Sequence, residues 1–248
     1  MTVATLAVRL FLALSGPFVG DFVATLAAAW PRAPRPILGR SRCARGGAPI
    51  APARAIPLVS FALQRGRRDC CGGRIPIVYP LGEAAGLVAG IGAAALAPNL
   101  AAAVWGYAVG MTLAYVALVD LRRYRIPTVG LVALALLAGL LVIAEPQSEQ
   151  RLARLATGAV LALVFELLRR LVRRDGRAGL GEGDVMLAGI LGVLVNWRMA
   201  APMVFVAAAA PLAVQLSRRK FGPAPLGLWL CISCGFCLLA AGVNASLQ

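Results

Sequence analysis

Long apolar stretches dominate this sequence and limit the folds that are open to it. Hydrophobic residues make up 60% of the 248 residues and charged residues only 14%, whereas a soluble domain has roughly 25% charged residues. A helix needs about 20 mostly apolar residues to cross a membrane, where no water bonds the backbone. Eight stretches approach that length, near residues 4–29, 77–97, 100–120, 128–144, 153–172, 183–199, 200–217 and 225–246. The sequence therefore predicts an all-α, polytopic integral membrane protein with about eight transmembrane helices.

The basic residues predict how these spans are oriented. Of the 25 Lys and Arg residues, 21 lie in alternate loops, and such residues are retained mainly on the cytoplasmic side. The loop 32–74 alone holds ten Arg. Both termini are therefore expected to face away from the cytoplasm. The net charge of +15 is then explained by topology and by attraction to anionic lipid head groups. We expect membrane lipids as partners and no nucleic acid.

The chain contains no histidine, which excludes mechanisms and metal sites that depend on imidazole. Carboxylates remain for acid–base chemistry. Asp120 ends the third predicted span and Asp184 begins the sixth, so the loop alternation places both at the cytoplasmic face. Two carboxyl groups a few ångströms apart share a proton, so one can activate a water while the other donates a proton to a peptide carbonyl. Such a pair would support aspartic-protease chemistry.

These acids also have a simpler explanation. Acids at a membrane boundary can be neutralised by neighbouring Arg residues and serve no catalytic purpose. Gly181 and Gly183 precede Asp184 and would allow close approach of a substrate strand or of another helix. Glu83, near the start of the second predicted span, would either assist an active site or anchor a loop. From the residues alone, these alternatives stay open.

Four stretches, in this order along the chain, resemble the prepilin peptidases, the leader peptidases and N-methyltransferases of type IV pilus and type II secretion systems. The stretches are Gly20 to Pro31, Cys43 to Glu83 with its cysteine-bearing loop, Asp120 to Pro127, and Gly181 to Asp184. The third consists of an Asp followed after five residues by Ile-Pro, and the fourth is the GxGD signature.

The resemblance implies a membrane aspartic endopeptidase of the bacterial inner membrane, with both termini periplasmic. It would cleave the basic leader of a prepilin or pseudopilin after a glycine at the cytoplasmic face, with Asp120 and Asp184 as the catalytic pair. Gly181, Gly183 and Glu83 would support the site. No cofactor is implied for the peptidase, whereas methylation of the new N-terminus would use S-adenosylmethionine. Residues 1–75 would form a degenerate methyltransferase-like region, and residues 76–248 the peptidase domain.

The sequence departs from the family pattern in its cysteines. The family has two CxxC pairs in the first cytoplasmic loop, but Gly46 and Arg68 stand at two of the expected positions here. Structural zinc sites almost always use four ligands, so we expect no metal. If a metal were bound, Cys43 and Cys71 would be its candidate ligands.

Four further departures leave two other functions open. Asp21 and Ala24 stand where the family has Ser and Asn, which leaves the methyltransferase activity undecided, and Thr128 and Met186 replace Asp and Lys. A catalytically impaired relative that binds pilins during assembly is therefore one alternative. A transporter is another, although it would place its acids near the middle of the membrane.

Overall fold

The structure, a computed structural model, describes residues 3–31, 43, 47, 56–68, 70–174, 180–218 and 224–246, and most of them lie in helices. No strand occurs in these ranges, and the all-α prediction is confirmed. The helices are α1 (Val3–Ala29), α2 (Val59–Leu63), α3 (Val78–Leu96), α4 (Leu100–Arg123), α5 (Thr128–Ala144), α6 (Ser148–Arg174), α7 (Glu182–Arg218) and α8 (Leu226–Ser246).

Several of these helices have the length and composition to cross a membrane. Among the described residues, α1, α3, α4 and α7 are long and apolar enough, and shorter apolar helices cover Thr128–Ala144 and Leu226–Gly242. This architecture confirms a polytopic membrane protein. The helices and the predicted spans do not correspond one to one, because α2 has only five residues and α7 covers both the sixth and the seventh predicted span.

A local break interrupts α7. Asn196 has φ 63° and ψ 174°, which is outside the helical region, so the helix consists of two segments that meet at this residue. The sequence predicts a division at 199/200, and the observed break lies four residues earlier. No glycine or proline marks residue 196, which explains why the pattern of apolar residues places it imprecisely.

The chain forms two compact units, Met1–Leu118 and Val119–Gln248, which are described separately below. They are defined by packing and do not test the predicted functional division after residue 75, which stays a prediction.

Glycines hold α1 and α3 together in the first unit. A Cβ atom on Gly86 would lie 2.9 Å from the Cα of Gly20, and one on Gly82 would lie 2.7 Å from the Cβ of Ala24. Real Cβ atoms do not come this close to neighbouring atoms. The small residues that the sequence places in both helices therefore permit close backbone approach, as is common in membrane helix pairs.

An arginine inside the apolar helix α1 has its hydrogen-bond partners at the end of α3. Arg9 donates hydrogen bonds to the carbonyl oxygens of Ala94 (2.8 Å) and Ala97 (2.7 Å). The last carbonyl groups of a helix lack partners within it, and a guanidinium group there also opposes the negative end of the helix dipole. Arg9 therefore caps α3.

In the second unit, α6 and α7 pack against each other in opposite directions. A Cβ on Gly158 would lie 2.8 Å from the carbonyl oxygen of Gly189, and the Arg169 guanidinium lies 3.2 Å from the carboxylate of Glu182. Later residues of α6 thus meet earlier residues of α7. This register gives the unit two ends, with Asp184 at the end where α6 finishes.

Candidate active site

Asp120 is a buried carboxylate in the last turns of α4. Its exposed fraction is only 4%, and its Oδ2 accepts a hydrogen bond of 2.9 Å from the backbone N–H of Leu228. Leu228 lies in the first turn of α8, where backbone N–H groups lack partners within the helix. The positive end of a helix dipole also favours an anionic group. The start of α8 thus stabilises the Asp120 carboxylate.

Asp184 lies in the first turn of α7 and is half-buried. Its Oδ2 accepts a hydrogen bond of 3.0 Å from the backbone N–H of Gly181, just before the helix begins at Glu182. A carboxylate that reaches back in this way caps the helix. The bond fixes the orientation of the side chain.

Ile126 connects the surroundings of the two aspartates. A Cβ on Gly183 would lie 3.1 Å from the Ile126 Cβ, and a Cβ on Gly227 would lie 3.2 Å from the Ile126 Cδ1. The loop between α4 and α5 therefore packs against the starts of both α7 and α8. Asp120 and Asp184 are close enough to interact electrostatically. The structure thus brings both aspartates, with Gly181 and Gly183, to one end of the second unit.

The two carboxyl groups differ in their surroundings, and that difference allows a division of roles. Asp120 is enclosed and bonded by a helix start, whereas Asp184 is partly open and lies in a glycine-bordered turn. Two interacting carboxyl groups hold a proton more easily than two isolated ones. Such a pair can take up a proton at one group and donate a proton from the other.

Two comparisons with known proteins extend this description. The profile of the bacterial peptidase A24 N-terminal domain matches residues 14–96, and that of the type IV leader peptidase family matches residues 107–216. A prepilin leader peptidase/N-methyltransferase of Klebsiella pneumoniae is 30% identical over 162 residues, which cover 64% of this chain and 69% of the relative. The chain belongs to the type IV leader peptidase family. Membership in this family confirms that the chain is a peptidase by class.

Other proteins with the same description resemble the chain over most of its length. The one from Dickeya chrysanthemi is 31% identical over 72% of this chain and 65% of the relative. The one from Bacillus subtilis (strain 168) is 28% identical over 84% of this chain and 87% of the relative. The chain thus spans less than two thirds of some relatives and most of others. No solved structure matches it.

Glu83, which the sequence assigns either to the site or to a loop anchor, has a partner in the first unit of this leader-peptidase chain. It is buried, and its Oε2 accepts a hydrogen bond of 2.6 Å from the backbone N–H of Leu58. Leu58 has φ 60°, a conformation that costs energy for a residue other than glycine. The Glu83 carboxylate therefore anchors the segment that leads into α2, which supports the second of the two readings.

Gly227 and Leu228 form part of the surroundings of Asp120, although the sequence analysis assigns them no role. The donor is a backbone N–H, so the type of residue 228 carries no signal for it. A glycine at the third position of a predicted span is too common to stand out. Only the general tendency of helix starts to bind anions would have directed attention there.

Three cysteine thiols meet in the loop between α1 and α3. The Sγ atoms of Cys43, Cys70 and Cys71 lie within 4.8 Å of one another, and those of Cys43 and Cys71 are 3.5 Å apart. Cys43 is buried, whereas the other two are exposed. A hydrogen bond with Cys43 and, secondarily, desolvation raise the pKa of the Cys70 thiol to about 11.

This cluster supplies three metal ligands where a structural zinc site takes four. No fourth His, Cys, Asp or Glu joins the cluster within the described parts of the chain. A closed zinc site therefore does not fit these residues, and we derive no step from a metal. Cys70 is an addition to the candidates Cys43 and Cys71, and the expectation that no metal is bound stays a prediction.

Ala24, which stands where the family pattern has Asn, is not placed to contact a methyl donor. Ala24 is fully buried, and it faces Gly82 in the α1–α3 interface, where a Cβ on the glycine would lie 2.7 Å from the alanine Cβ. A side chain enclosed between two helices is not accessible to S-adenosylmethionine. We derive no methyl-transfer step from this residue, and the methyltransferase activity stays a prediction.

Proposed function

We propose that this chain is an aspartic endopeptidase that removes the leader peptide of type IV prepilins or pseudopilins, with Asp120 and Asp184 as its catalytic residues. One observation carries the proposal: two carboxyl groups separated by 63 intervening residues in the sequence converge at one end of the second unit. The names of the relatives support the substrate class.

The chemistry follows from the two carboxyl groups. One carboxylate takes a proton from a water molecule, and the water oxygen forms a bond to the carbon of the scissile peptide. The other carboxyl group, in its protonated form, donates its proton to the peptide oxygen. The resulting tetrahedral intermediate, a geminal diol, breaks its C–N bond while the protonated carboxyl group gives its proton to the leaving amine and the other carboxylate takes a proton from one hydroxyl group. The backbone bonds from Leu228 and Gly181 hold both groups in place for these transfers.

The charge distribution supports a cytoplasmic position for this reaction. Arg122, Arg123 and Arg125 lie within five residues after Asp120, and basic residues of this kind remain on the cytoplasmic side. The apolar segment of the substrate would then lie among the membrane helices while its leader stays in the cytoplasm.

The test is a cleavage assay on the purified full chain in detergent, with prepilins from its own source as substrates and mass spectrometry as the readout. We expect a product that begins directly after the leader glycine. A product heavier by the mass of one CH2 unit, the net gain when a methyl group replaces a hydrogen, would show that the methyltransferase activity is also present. If none of these prepilins is cut while each is bound, the alternative of a pilin-binding assembly factor replaces the peptidase proposal.

A further inference from the structure

A cavity of about 200 Å³ opens in the second unit, away from the two aspartates. Its lining comes from the start of α6 and from the break in α7. Because α6 and α7 run in opposite directions, Arg154 meets Val193 and Leu194, whereas Arg169 meets Glu182 beside Asp184. The 15 residues between Arg154 and Arg169 correspond to about 22 Å of helix. The lining residues are Gln150, Ala153, Arg154, Asn196, Trp197 and Arg198.

Protein groups bond only some of the N–H donors of Arg154. One of its terminal nitrogens bonds the carbonyl oxygens of Val193 (3.3 Å) and Leu194 (3.2 Å), just before the break in α7. Its Nε is buried without a hydrogen bond and lies 3.5 Å from the Glu145 carboxylate. Guanidinium groups have five N–H donors, and a buried N–H without a partner costs free energy. A ligand in the cavity can use the donors that remain.

Arg198, the second arginine in the cavity lining, is held in place by its neighbours. The guanidinium carbon of Arg198 lies 5.6 Å from the centre of the Trp197 ring, a cation–π distance. The Arg198 backbone N–H donates to the Asn196 side chain at 3.0 Å. Asn196 itself has a backbone conformation that only glycine adopts without strain. The turn is thus fixed in a costly conformation that keeps Trp197 and Arg198 at the rim of the cavity.

The charges and the size of the cavity define the ligand. Arg154 and Arg198 line it, and the acid next to it, Glu145, is paired with Arg154 outside the lining. The balance is positive and suits an anion with one negative charge. Pockets for drug-sized ligands have about 300–1,000 Å³, so a space of this size suits a small group such as phosphate. Arginine forks match phosphate oxygens in geometry as well as in charge.

The surroundings favour a lipid as the source of that phosphate. The rim residue Trp197 is 63% exposed, and nearby on α6 the apolar side chains of Leu152 and Leu155 are exposed as well. Tryptophan is enriched at the level of the lipid head groups, and exposed leucines in a membrane helix face acyl chains. A phospholipid whose phosphate enters the cavity could therefore place its acyl chains along α6.

We propose that this cavity binds the phosphate group of an anionic phospholipid through Arg154 and Arg198, in the leaflet opposite to the one that Asp120 and Asp184 face. This binding site does not depend on the peptidase function.

The experiment is native mass spectrometry of the full chain in detergent, titrated with phosphatidylglycerol. We expect Arg198→Gln to weaken binding by about tenfold, since it removes one charged contact. Arg198 is the better choice for substitution, because Arg154 also bonds two carbonyl oxygens of α7. Arg151→Gln is the matched control: it removes the same charge at the same end of α6, but Arg151 does not line the cavity. Its binding of the lipid should equal that of the unmodified chain.

Two further arms identify the source of the phosphate. Phosphatidylcholine should bind more weakly than phosphatidylglycerol, because its positive head group opposes the arginines. Inorganic phosphate at millimolar concentration should not displace the anionic lipid. Equal losses in Arg198→Gln and Arg151→Gln would show a diffuse attraction between charges and overturn the proposal. Saturation by inorganic phosphate with no dependence on lipid would overturn the assignment to a phospholipid.

Discussion

At the scale of single residues, Gly227 determines how closely α8 approaches Asp120. A Cβ at this position would lie 3.1 Å from the Asp120 Oδ2 and 3.2 Å from its Cγ. Asp120 cannot easily yield, since it is buried and bonded to Leu228. We therefore expect Gly227→Ala to displace the carboxyl group and to lower the rate of prepilin cleavage by about tenfold or more.

The matched control for this substitution is Gly235→Ala in the same helix, where a Cβ would meet no atom within 4 Å. Initial cleavage rates of both variants give the comparison, and unfolding temperatures show whether each remains folded. Unchanged cleavage in Gly227→Ala would mean that the start of α8 does not control the position of Asp120.

Cys70 should react unusually for an exposed cysteine. Its raised pKa of about 11 means that the reactive thiolate forms only in strongly alkaline solution, whereas an ordinary cysteine has a pKa of about 8.5. We expect its rate of alkylation by iodoacetamide to keep rising as the pH increases towards 11. Fragment mass spectrometry distinguishes Cys70 from Cys71 in the labelled chain. A rate for Cys70 that levels off near pH 9, as for an ordinary cysteine, would show that Cys43 does not raise the pKa of this thiol.

At the scale of helices, the contact between α1 and α3 depends on the absence of side chains. An Ala at position 86 would bring its Cβ to within 2.9 Å of the Gly20 Cα. That neighbour is a backbone atom, which cannot move aside separately. We expect Gly86→Ala to destabilise the chain by about 1–3 kcal/mol. Gly106→Ala in α4 meets no atom within 4 Å and should instead add up to about 1 kcal/mol through helix propensity.

Thermal unfolding in one detergent, followed by fluorescence, measures both variants. The unfolding temperature should fall for Gly86→Ala and stay equal or rise for Gly106→Ala. Equal shifts in the two variants would show that α1 and α3 do not pack as closely as the structure indicates.

Helices are also the level at which the sequence predicts most. Runs of apolar residues correctly place α1, α3, α4, α5 and α8, because a membrane imposes both length and composition on a helix. The same pattern places the break in α7 at 199/200 rather than at Asn196, since the cause is the conformation of one polar residue. It also underestimates α6, which begins at Ser148 rather than near 153, because its charged first turns lie outside an apolar window.

The candidate site was predictable in part. The sequence identifies Asp120 and Asp184 because carboxylates are rare and costly near membrane spans, and the structure brings them together with Gly181 and Gly183. Whether they are catalytic stays a prediction. The contribution of α8 could not be predicted, because it comes from a backbone N–H group. Glu83 was left between two roles, since its partner Leu58 also contributes only backbone.

At the scale of the whole molecule, the distribution of arginines predicts the orientation in the membrane. An alkaline phosphatase reporter fused to the C-terminus of the full chain should be active, because this enzyme works only outside the cytoplasm, where we expect both termini to lie. The same reporter inserted at 175–179, between α6 and α7 in a stretch of sequence rich in Arg, should be inactive. The opposite pattern would reverse the predicted topology and place Asp120 and Asp184 on the wrong side for a cytoplasmic leader.

The central claim is that Asp120 and Asp184 act as one catalytic unit on a prepilin leader. The most direct measurement compares cleavage rates of Asp120→Asn, Asp184→Asn and the double variant, with Glu149→Gln as a control for the loss of an exposed acid at the other end of α6. If the two residues act together, each single change lowers the rate by about a thousandfold or more, and the double variant is no slower than either. Substantial cleavage by either single variant, or losses that multiply in the double variant, would contradict the account.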